Sequence, residues 1–286
     1  MIPKTLHFCY GMSPEGRDRP WSLVHYVCVR SAIERIRPTQ AFMYHESELR
    51  GPWWDQTRPL LTPVKVTAPR EVFGHPLIHP AHRADVLRLD KLLEQGGIYL
   101  DCDMVVVRPF DDLLCHSAVL GEEAVADSAG RILCNAVILA EAGAPFLQRW
   151  RDAYRTFRSR GQDEFWDEHS CRIPMRLARE HPDSVTILPP DAFFWPGTSQ
   201  ADIDLLFRTP DPIDAPTAYA HHLWGSIGWK RYLEELTPGR VRAVDSNFHR
   251  WARPYVAHLP DGYGGPSKAR VLARRMRATL RRMARR

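Results

Sequence analysis

Two kinds of hydrophobic pattern alternate through the first half of the chain. Short apolar or alternating stretches predict strands at 5–10, 41–45, 64–67 and 132–140. Stretches in which apolar residues recur every three or four positions predict helices at 23–36, 82–95, 145–158 and, less regularly, 165–180. Strands and helices that alternate in this order are typical of an α/β domain whose central sheet is mostly parallel.

The segment 84–109 joins a predicted helix directly to a strand. Val86 and Leu89 belong to the apolar stripe of the helix. Gly96 and Gly97 then end it, because glycine readily adopts the left-handed conformation that reverses a chain at a helix end. The helix therefore leads without a long loop into the strand that follows.

Charged side chains on this helix and strand are expected to converge. Asp85 and Arg88 are three residues apart and share one face of the helix. In a continuous strand, Asp101 and Asp103 would share one face with Tyr99. Neighbouring carboxylates repel unless a cation or a donor neutralises them, and hard divalent cations prefer oxygen ligands. The pattern predicts a metal site at the end of this strand.

A second polar and aromatic group follows a short strand predicted at 217–219. Residues 220–229 read Ala-His-His-Leu-Trp-Gly-Ser-Ile-Gly-Trp. Imidazole combines with carboxylates in Mn²⁺ sites, which makes His222 the first candidate ligand and His221 the alternative. The preceding residues, 182–216, include seven prolines, which break long helices and predict loops over the site.

These residues resemble a known family. The pattern Asp85-x-x-Arg88 followed by Gly-Gly-Ile-Tyr-Leu-Asp-Cys-Asp at 96–103 is similar to the sugar-binding region of glycosyltransferase family 32, which includes the initiating mannosyltransferases of yeast. It is also similar, at the same spacing, to the catalytic domains of the large glucosylating toxins. The start, Ile-Pro-Lys-Thr-Leu-His-Phe-Cys-Tyr-Gly at 2–11, is similar to the first strand of both groups.

The resemblance implies a GT-A-type α/β domain, Rossmann-like, that moves a sugar from a UDP- or GDP-sugar to an acceptor hydroxyl in polysaccharide biosynthesis, with retention of configuration. It implies Mn²⁺ or Mg²⁺ bound by Asp103, Asp101 and His222. The catalytic group it implies is Asp101, Asp103, Asp85 and Arg88. The donor-binding group it implies is Phe8, Tyr10, Asp85, Arg88, Tyr99, Asp101, Asn135, Ser226 and Trp229.

Two of these positions keep more than one interpretation. Tyr10 stands where family members usually have a Trp that stacks on the nucleotide base, so the base stays open between uridine and guanosine. Asn135 resembles a family Asn that contacts the donor sugar or the acceptor, and an Asn at a strand end also bonds its own backbone.

Other functions stay open at this stage. Metal-dependent phosphohydrolases and nucleotidyltransferases also use acidic pairs to hold Mg²⁺ and phosphates. The last 19 residues, 268–286, contain nine Lys or Arg and no acid, with apolar residues at helical spacing. Such a basic amphipathic helix suits an anionic membrane surface, and a solvated or partner-packed terminal helix is an equally open interpretation. A non-enzymatic membrane or nucleic-acid binder is the corresponding alternative function. For the transferase, no nucleic-acid partner is expected.

Composition agrees with an enzyme of one large domain. A hydrophobic content of 44% supports a sizeable core, which we place at 1–260, followed by a Gly/Pro hinge and the basic helix at 261–286. The net charge of +5 arises from residues 268–286, which carry +9, because residues 1–267 carry −4. The start lacks the pattern of a secretory signal, so we expect a cytoplasmic protein that touches the inner face of the membrane peripherally. The six cysteines lack Cys-x-x-Cys spacing, which argues against a zinc or disulfide framework.

Overall fold

The computed structural model describes residues 1–13, 18–124 and 131–265. The strands in these residues are β1 (Thr5–Cys9), β2 (Gln40–His45), β3 (Thr62–Lys65), β4 (Glu71–Val72), β5 (His75–Pro76), β6 (Gly97–Leu100), β7 (Met104–Val106), β8 (Ala118–Ala124), β9 (Arg131–Ala140), β10 (Thr186–Leu188) and β11 (Ala220–His222). The α-helices are α1 (Leu23–Ile36), α2 (Pro52–Thr57), α3 (Pro80–Gln95), α4 (Pro145–Ala153), α5 (Ile173–Glu180), α6 (Gln200–Phe207), α7 (Gly225–Gly228), α8 (Pro238–Ala243) and α9 (Asn247–Val256). Short 3₁₀ or π turns occupy Arg58–Leu60, Asp111–Leu113, Tyr154–Thr156, Glu168–Arg172, Pro182–Ser184, Pro190–Ala192 and Trp229–Leu233.

A seven-stranded mixed sheet, in the order β10-β8-β9-β6-β1-β2-β3, forms the centre of the described chain. Strands β3, β2, β1 and β6 are parallel, and β9 runs antiparallel to both of its neighbours. Strand β10 pairs in parallel with β8. Because β1 and β6 are parallel neighbours, their carboxyl ends lie at one edge of the sheet, where ligands bind in open α/β sheets. Tyr10 and Asp101 follow these two ends directly.

Apolar layers cover both faces of the sheet. Phe8 and Ile98 belong to the layer that includes the buried face of α1. Tyr99 belongs to the opposite layer, with the buried faces of α3, α4 and α5. Full burial of a side chain such as Phe8 stabilises the fold by about 1.5–3 kcal/mol relative to its exposure. The alternation along β6 thus follows the two-residue period of a strand.

The reversal between α3 and β6 depends on two glycines, as predicted. Gly96 and Gly97 have φ values of 65° and 117°. A Cβ on Gly97 would lie 2.5 Å from the carbonyl oxygen of Thr5 and 2.8 Å from Nε2 of His7. Glycine is therefore required there both by the backbone conformation and by the close approach of β1.

Several predicted elements match the structure and others differ from it. The helix predicted at 23–36 is α1, and the one predicted at 82–95 lies within α3. The prediction of one strand through both acids was wrong, because β6 ends at Leu100 and the chain turns before β7. In that turn the amide of Met104 donates to the carbonyl of Asp101 at 3.2 Å. Strand β7 then pairs with β11 rather than with the large sheet.

The end of the described chain contacts the domain. Oη of Tyr263 donates to the carbonyl of Pro52 at 3.0 Å, and the Tyr263 ring meets Trp53 edge-on at 5.1 Å. Residues 261–265 of the predicted hinge therefore pack against α2. The rest of the predicted tail, 266–286, lies outside the described residues, and so do its predicted helix and membrane contact. In the described residues, every helix is too short or too polar to span a bilayer.

The buried His25 predicts a loss of stability in mild acid. Its Nδ1 accepts the Ser22 amide at 3.0 Å, as the capping box of α1. Burial lowers the pKa of His25 from its ordinary 6.5 to about 4. The unfolded chain therefore binds a proton first as the pH falls below 6.5, and stability decreases by up to about 3 kcal/mol by pH 4. Glutamine at this position keeps the capping box and does not titrate. We expect His25→Gln to lose less melting temperature than the wild type between pH 7.5 and 5; equal losses would contradict this assignment.

Candidate active site

Two carboxylates and an imidazole meet at the carboxyl edge of the sheet. One ligand atom each from Asp101, Asp103 and His222 lies within 4.8 Å of the others. Nε2 of His222 is 3.2 Å from Oδ1 of Asp103. The pairing of β11 with β7 explains this approach, since it sets His222 opposite Met104. The structure therefore brings His222, rather than the neighbouring histidine, beside the two acids.

His221 points to the other face of the same ladder. Its ring stacks on Trp251 at 4.3 Å and an interplanar angle of 4°. Its Nδ1 lies 2.8 Å from the carbonyl oxygen of Trp195. Because neighbouring residues of a strand face opposite sides, only one of the two histidines can reach the acids.

Asp103 is fixed by groups from the late part of the chain. The amide of Gly225 donates to its Oδ2 at 2.8 Å, and the amide of Leu223 donates to its carbonyl at 3.0 Å. Burial alone would raise the pKa of Asp103, but His222 and the Gly225 amide outweigh burial and lower this pKa to about 2. Asp103 is therefore a carboxylate at neutral pH. Burial likewise acts to lower the pKa of His222, and the Asp103 carboxylate outweighs it and raises that pKa.

Asp101 is partly buried and is held from the side of β6 and α3. Oη of Tyr99 donates to Oδ1 of Asp101 at 2.6 Å, and Nη1 of Arg88 lies 3.3 Å from the same oxygen. The guanidinium also lies over the Tyr99 ring, 4.2 Å from its centroid. Burial raises the pKa of Asp101, although the Arg88 charge acts in the opposite direction. Tyr99 is fully buried, so its hydroxyl holds Asp101 from the side of the core.

Asp85 and Arg88 form a buried ion pair, with 6% and 5% of their surface exposed. Nη2 of Arg88 is 3.2 Å from Oδ1 of Asp85, which also accepts the amide of Asn135 at 2.7 Å. Arg88 further donates to the carbonyls of Asn135 and Ala84, at 2.7 and 3.3 Å. Burial acts to lower the pKa of Arg88, but Asp101 and the other anionic neighbours outweigh it and raise the pKa. The predicted convergence of this helical face with the acids is confirmed.

The charges of this cluster favour a cation. Three carboxylates, those of Asp85, Asp101 and Asp103, face one guanidinium, so two formal negative charges remain when His222 is neutral. Carboxylate oxygens and an imidazole nitrogen within one small space are a ligand set for Mn²⁺ or Mg²⁺. The cluster can therefore hold a divalent cation.

An aromatic wall adjoins the cluster. Tyr10 is partly exposed and meets the rings of Trp21 and His25 edge-on, at 5.0 and 4.8 Å. His25 in turn stacks on Trp229 at 5.4 Å. Aromatic rings at the end of β1 are a suitable surface for a planar base. Tyr10 is the partly exposed ring of this group, whereas Trp21 and Trp229 are buried.

The other predicted donor-binding residues have different surroundings. Phe8 is fully buried in the core and offers no surface to a ligand. Ser226 is exposed on α7, beside Gly225. Asn135 bonds Asp85 rather than its own backbone. Sequence reasoning missed the amide of Gly225, whose only signal was its position next to Ser226.

Arg19 was also missed. It donates from Nη1 to the Gly225 carbonyl at 3.0 Å and lies over the Trp229 ring. No sequence pattern marks it, since it belongs to neither a predicted helix nor a predicted strand.

Comparison with known proteins identifies a family for the segment that carries the two acids. The family model for the glycosyltransferase sugar-binding region containing the DXD motif matches residues 43–120. Glucan organizing enzyme 1 of Cryptococcus neoformans is 37% identical over 272 residues, which cover 91% of this chain and 72% of that protein. Subversion of eukaryotic traffic protein A of Legionella pneumophila is 33% identical over 88 residues, 30% of this chain and 14% of that protein.

Solved structures share the fold. The apo structure of the bifunctional glycosyltransferase WbbM superposes with a TM-score of 0.50 at 11% identity and covers 91% of this chain and 50% of that one. This likeness concerns the fold alone, and it agrees with the predicted GT-A-type α/β architecture. The match to the family model and the extended similarity to the Cryptococcus protein lead to one conclusion: the chain belongs to the family of glycosyltransferases whose sugar-binding region contains the Asp-x-Asp motif.

Proposed function

We propose that the protein transfers a glycosyl group from a UDP- or GDP-sugar to an acceptor hydroxyl, with Mn²⁺ or Mg²⁺ held by Asp101, Asp103 and His222. The observation that carries this proposal is the convergence of these three side chains at the carboxyl edge of the parallel strands. Open α/β sheets bind nucleotides at this edge. Membership of the family supports sugar transfer over phosphate hydrolysis or nucleotidyl transfer.

The donor set fits a divalent cation. Asp103 stays ionised at neutral pH, and the Gly225 amide and His222 hold its two oxygens in place. Nδ1 of His222 is buried and has no partner among the described residues, so the imidazole is held through Nε2. When bound, the cation would neutralise charge on the diphosphate of the donor, which lowers the barrier by several kcal/mol.

Asp85 is assigned to the donor sugar. Its contacts with Arg88 and Asn135 both go to Oδ1, and we assign Oδ2 to a sugar hydroxyl. The ion pair fixes the rotamer of Asp85, so the carboxylate need not reorganise when the sugar binds. We give Arg88 the role of holding Asp85 and Asp101 at their present separation.

We propose that the nucleotide base packs against Tyr10, beside Trp21 and Trp229.

The proposed reaction exchanges one bond of the anomeric carbon for another. The bond between the anomeric carbon and the diphosphate oxygen breaks, and the electron pair stays on the diphosphate. The acceptor oxygen bonds to the anomeric carbon, and its proton passes to the departing diphosphate. The name of the Cryptococcus relative, glucan organizing enzyme 1, supports a polysaccharide as the acceptor, and we propose a cytoplasmic location for this step.

Metal-dependent nucleotide binding is expected to depend on Asp103. At about 100 times its Kd, a nucleotide adds roughly 2.7 kcal/mol of stability, or on the order of 5 to 10 °C in melting temperature for a domain of this size. We expect UDP or GDP to give this shift with Mn²⁺, and expect EDTA to abolish it. Asp103→Asn keeps the size of the side chain but removes its charge, so the Mn²⁺-dependent shift should disappear.

The matched control for this measurement is Asp183→Asn, which neutralises an exposed acid in the turn Pro182–Ser184. It should keep the full shift. A Mn²⁺-dependent shift of wild-type size in Asp103→Asn would contradict the proposed metal site.

Gly225 is expected to be sensitive to a single methyl group. A Cβ at this position would lie 2.9 Å from Oδ2 of Asp103, closer than ordinary contacts allow. Because the methyl group displaces a proposed metal ligand, Gly225→Ala should weaken Mn²⁺ binding by roughly 10-fold or more, as measured by calorimetry. Gly262→Ala is the control, since a Cβ there has nothing within 4 Å. Equal Mn²⁺ affinities in the two variants would refute this dependence.

The stereochemistry follows the family resemblance. We propose that the anomeric configuration of the donor sugar is retained. The proton spectrum of the first product formed should show the same anomer as the donor, and the opposite anomer would show inversion.

A further inference from the structure

Arg19 links Tyr10, which follows β1, to Gly225, which begins α7. Oη of Tyr10 donates to the carbonyl of Arg19 at 2.9 Å, and Nη1 of Arg19 donates to the carbonyl of Gly225 at 3.0 Å. The amide of Gly225 donates in turn to Oδ2 of Asp103 at 2.8 Å. The Arg19 guanidinium is therefore separated from a proposed metal ligand by a single residue.

The guanidinium is accessible from solvent. Arg19 is exposed, and its Cζ lies 4.9 Å from the centroid of the Trp229 ring, within the range of a cation–π contact. In the part of the chain that the structure describes, no carboxylate pairs with it. The bond to Gly225 engages one of its five N–H donors. The remaining donors are available to a ligand.

Arg88 is less suited to contact an anion from solvent. It is only 5% exposed, and its donors face the carbonyls of Ala84 and Asn135 and the carboxylates of Asp85 and Asp101. A ligand would have to break this buried network to reach it. Of the two arginines beside the cluster, Arg19 is the exposed one, and it lies over the Trp229 ring of the aromatic wall.

We propose that Arg19 binds the diphosphate of the donor and stabilises it as the leaving group. This inference rests on the proposed function and adds a residue to that site. As the bond to the anomeric carbon breaks, its electron pair adds negative charge to the diphosphate, and the acceptor proton later neutralises part of it. The planar guanidinium donates to two phosphate oxygens at once, and it is held in place by Gly225 and Trp229 before the ligand arrives.

Binding of diphosphates and nucleosides separates this role from a structural one. In the presence of Mn²⁺, the Kd for UDP and GDP is measured by calorimetry, and uridine and guanosine are measured by ligand-observed NMR. The proteins are the wild type, Arg19→Gln, Arg19→Lys and the control Arg149→Gln, which removes an exposed arginine from α4. Arg19→Gln should weaken diphosphate binding roughly 10-fold or more and leave the nucleoside unchanged. The diphosphate Kd of Arg19→Lys should lie between the values of the wild type and Arg19→Gln, because lysine keeps the positive charge but lacks the planar guanidinium that donates two parallel hydrogen bonds.

Three results would overturn the inference. Equal diphosphate affinity in the wild type and Arg19→Gln would show that the phosphates bind elsewhere. An equal loss of affinity for the nucleoside and for the nucleoside diphosphate would show that Arg19 only joins Tyr10 to Gly225. If the wild type bound neither UDP nor GDP, the proposed function would fail and this inference with it, whereas the first two results would leave the proposed function standing.

Discussion

The buried guanidinium of Arg88 is the constraint on which the site depends. It lies between the carboxylates of Asp85 and Asp101 and donates to the carbonyl of Asn135, so it joins α3, the end of β6 and β9. Without this partner the buried Asp85 would be left as an uncompensated charge, a situation that typically costs 3–5 kcal/mol. The same network holds Asp85 and Asp101 in the positions that the proposed function requires. Structural stability and preorganisation of the site therefore come from one ion cluster.

Much of this arrangement could be read from local sequence. The helical spacing of Asp85 and Arg88 and the two glycines at 96–97 sufficed to predict that the helix face meets the acids. Each of these features involves only a few neighbouring residues. The tight reversal at the two glycines then leaves few possible orientations of the helix relative to the strand. Strands β1, β2 and β9 and helices α1 and α3 were predictable for the same reason, since their hydrophobic periods report directly on which side is buried.

The remaining features depend on contacts that no local pattern contains. Asp101 and Asp103 looked like residues of one strand, yet they occupy a turn because β7 pairs with residues 220–222, more than a hundred positions later. The amide of Gly225 has no side-chain signature, so its bond to Asp103 could not be inferred from residue type. The guanidinium of Arg19 is likewise held by residues more than two hundred positions later, the carbonyl of Gly225 and the ring of Trp229. The sequence indicated the chemistry of the site but not the partners that hold it.

Backbone bonds near the start of β11 also bring two distant parts of the chain together. The amide of Tyr219 donates to the carbonyl of Ala192 at 2.8 Å, and the amide of His222 donates to the carbonyl of Phe193 at 3.2 Å. The segment 194–218 therefore begins and ends at neighbouring positions of the fold. Loop closure costs only about 0.6 kcal/mol more for each doubling of length, and surface loops accept insertions readily. The mostly exposed stretch 212–217 can therefore accept insertions, whereas α6, whose Leu206 and Phe207 are buried in the core, and His222 beside Asp103 keep their positions.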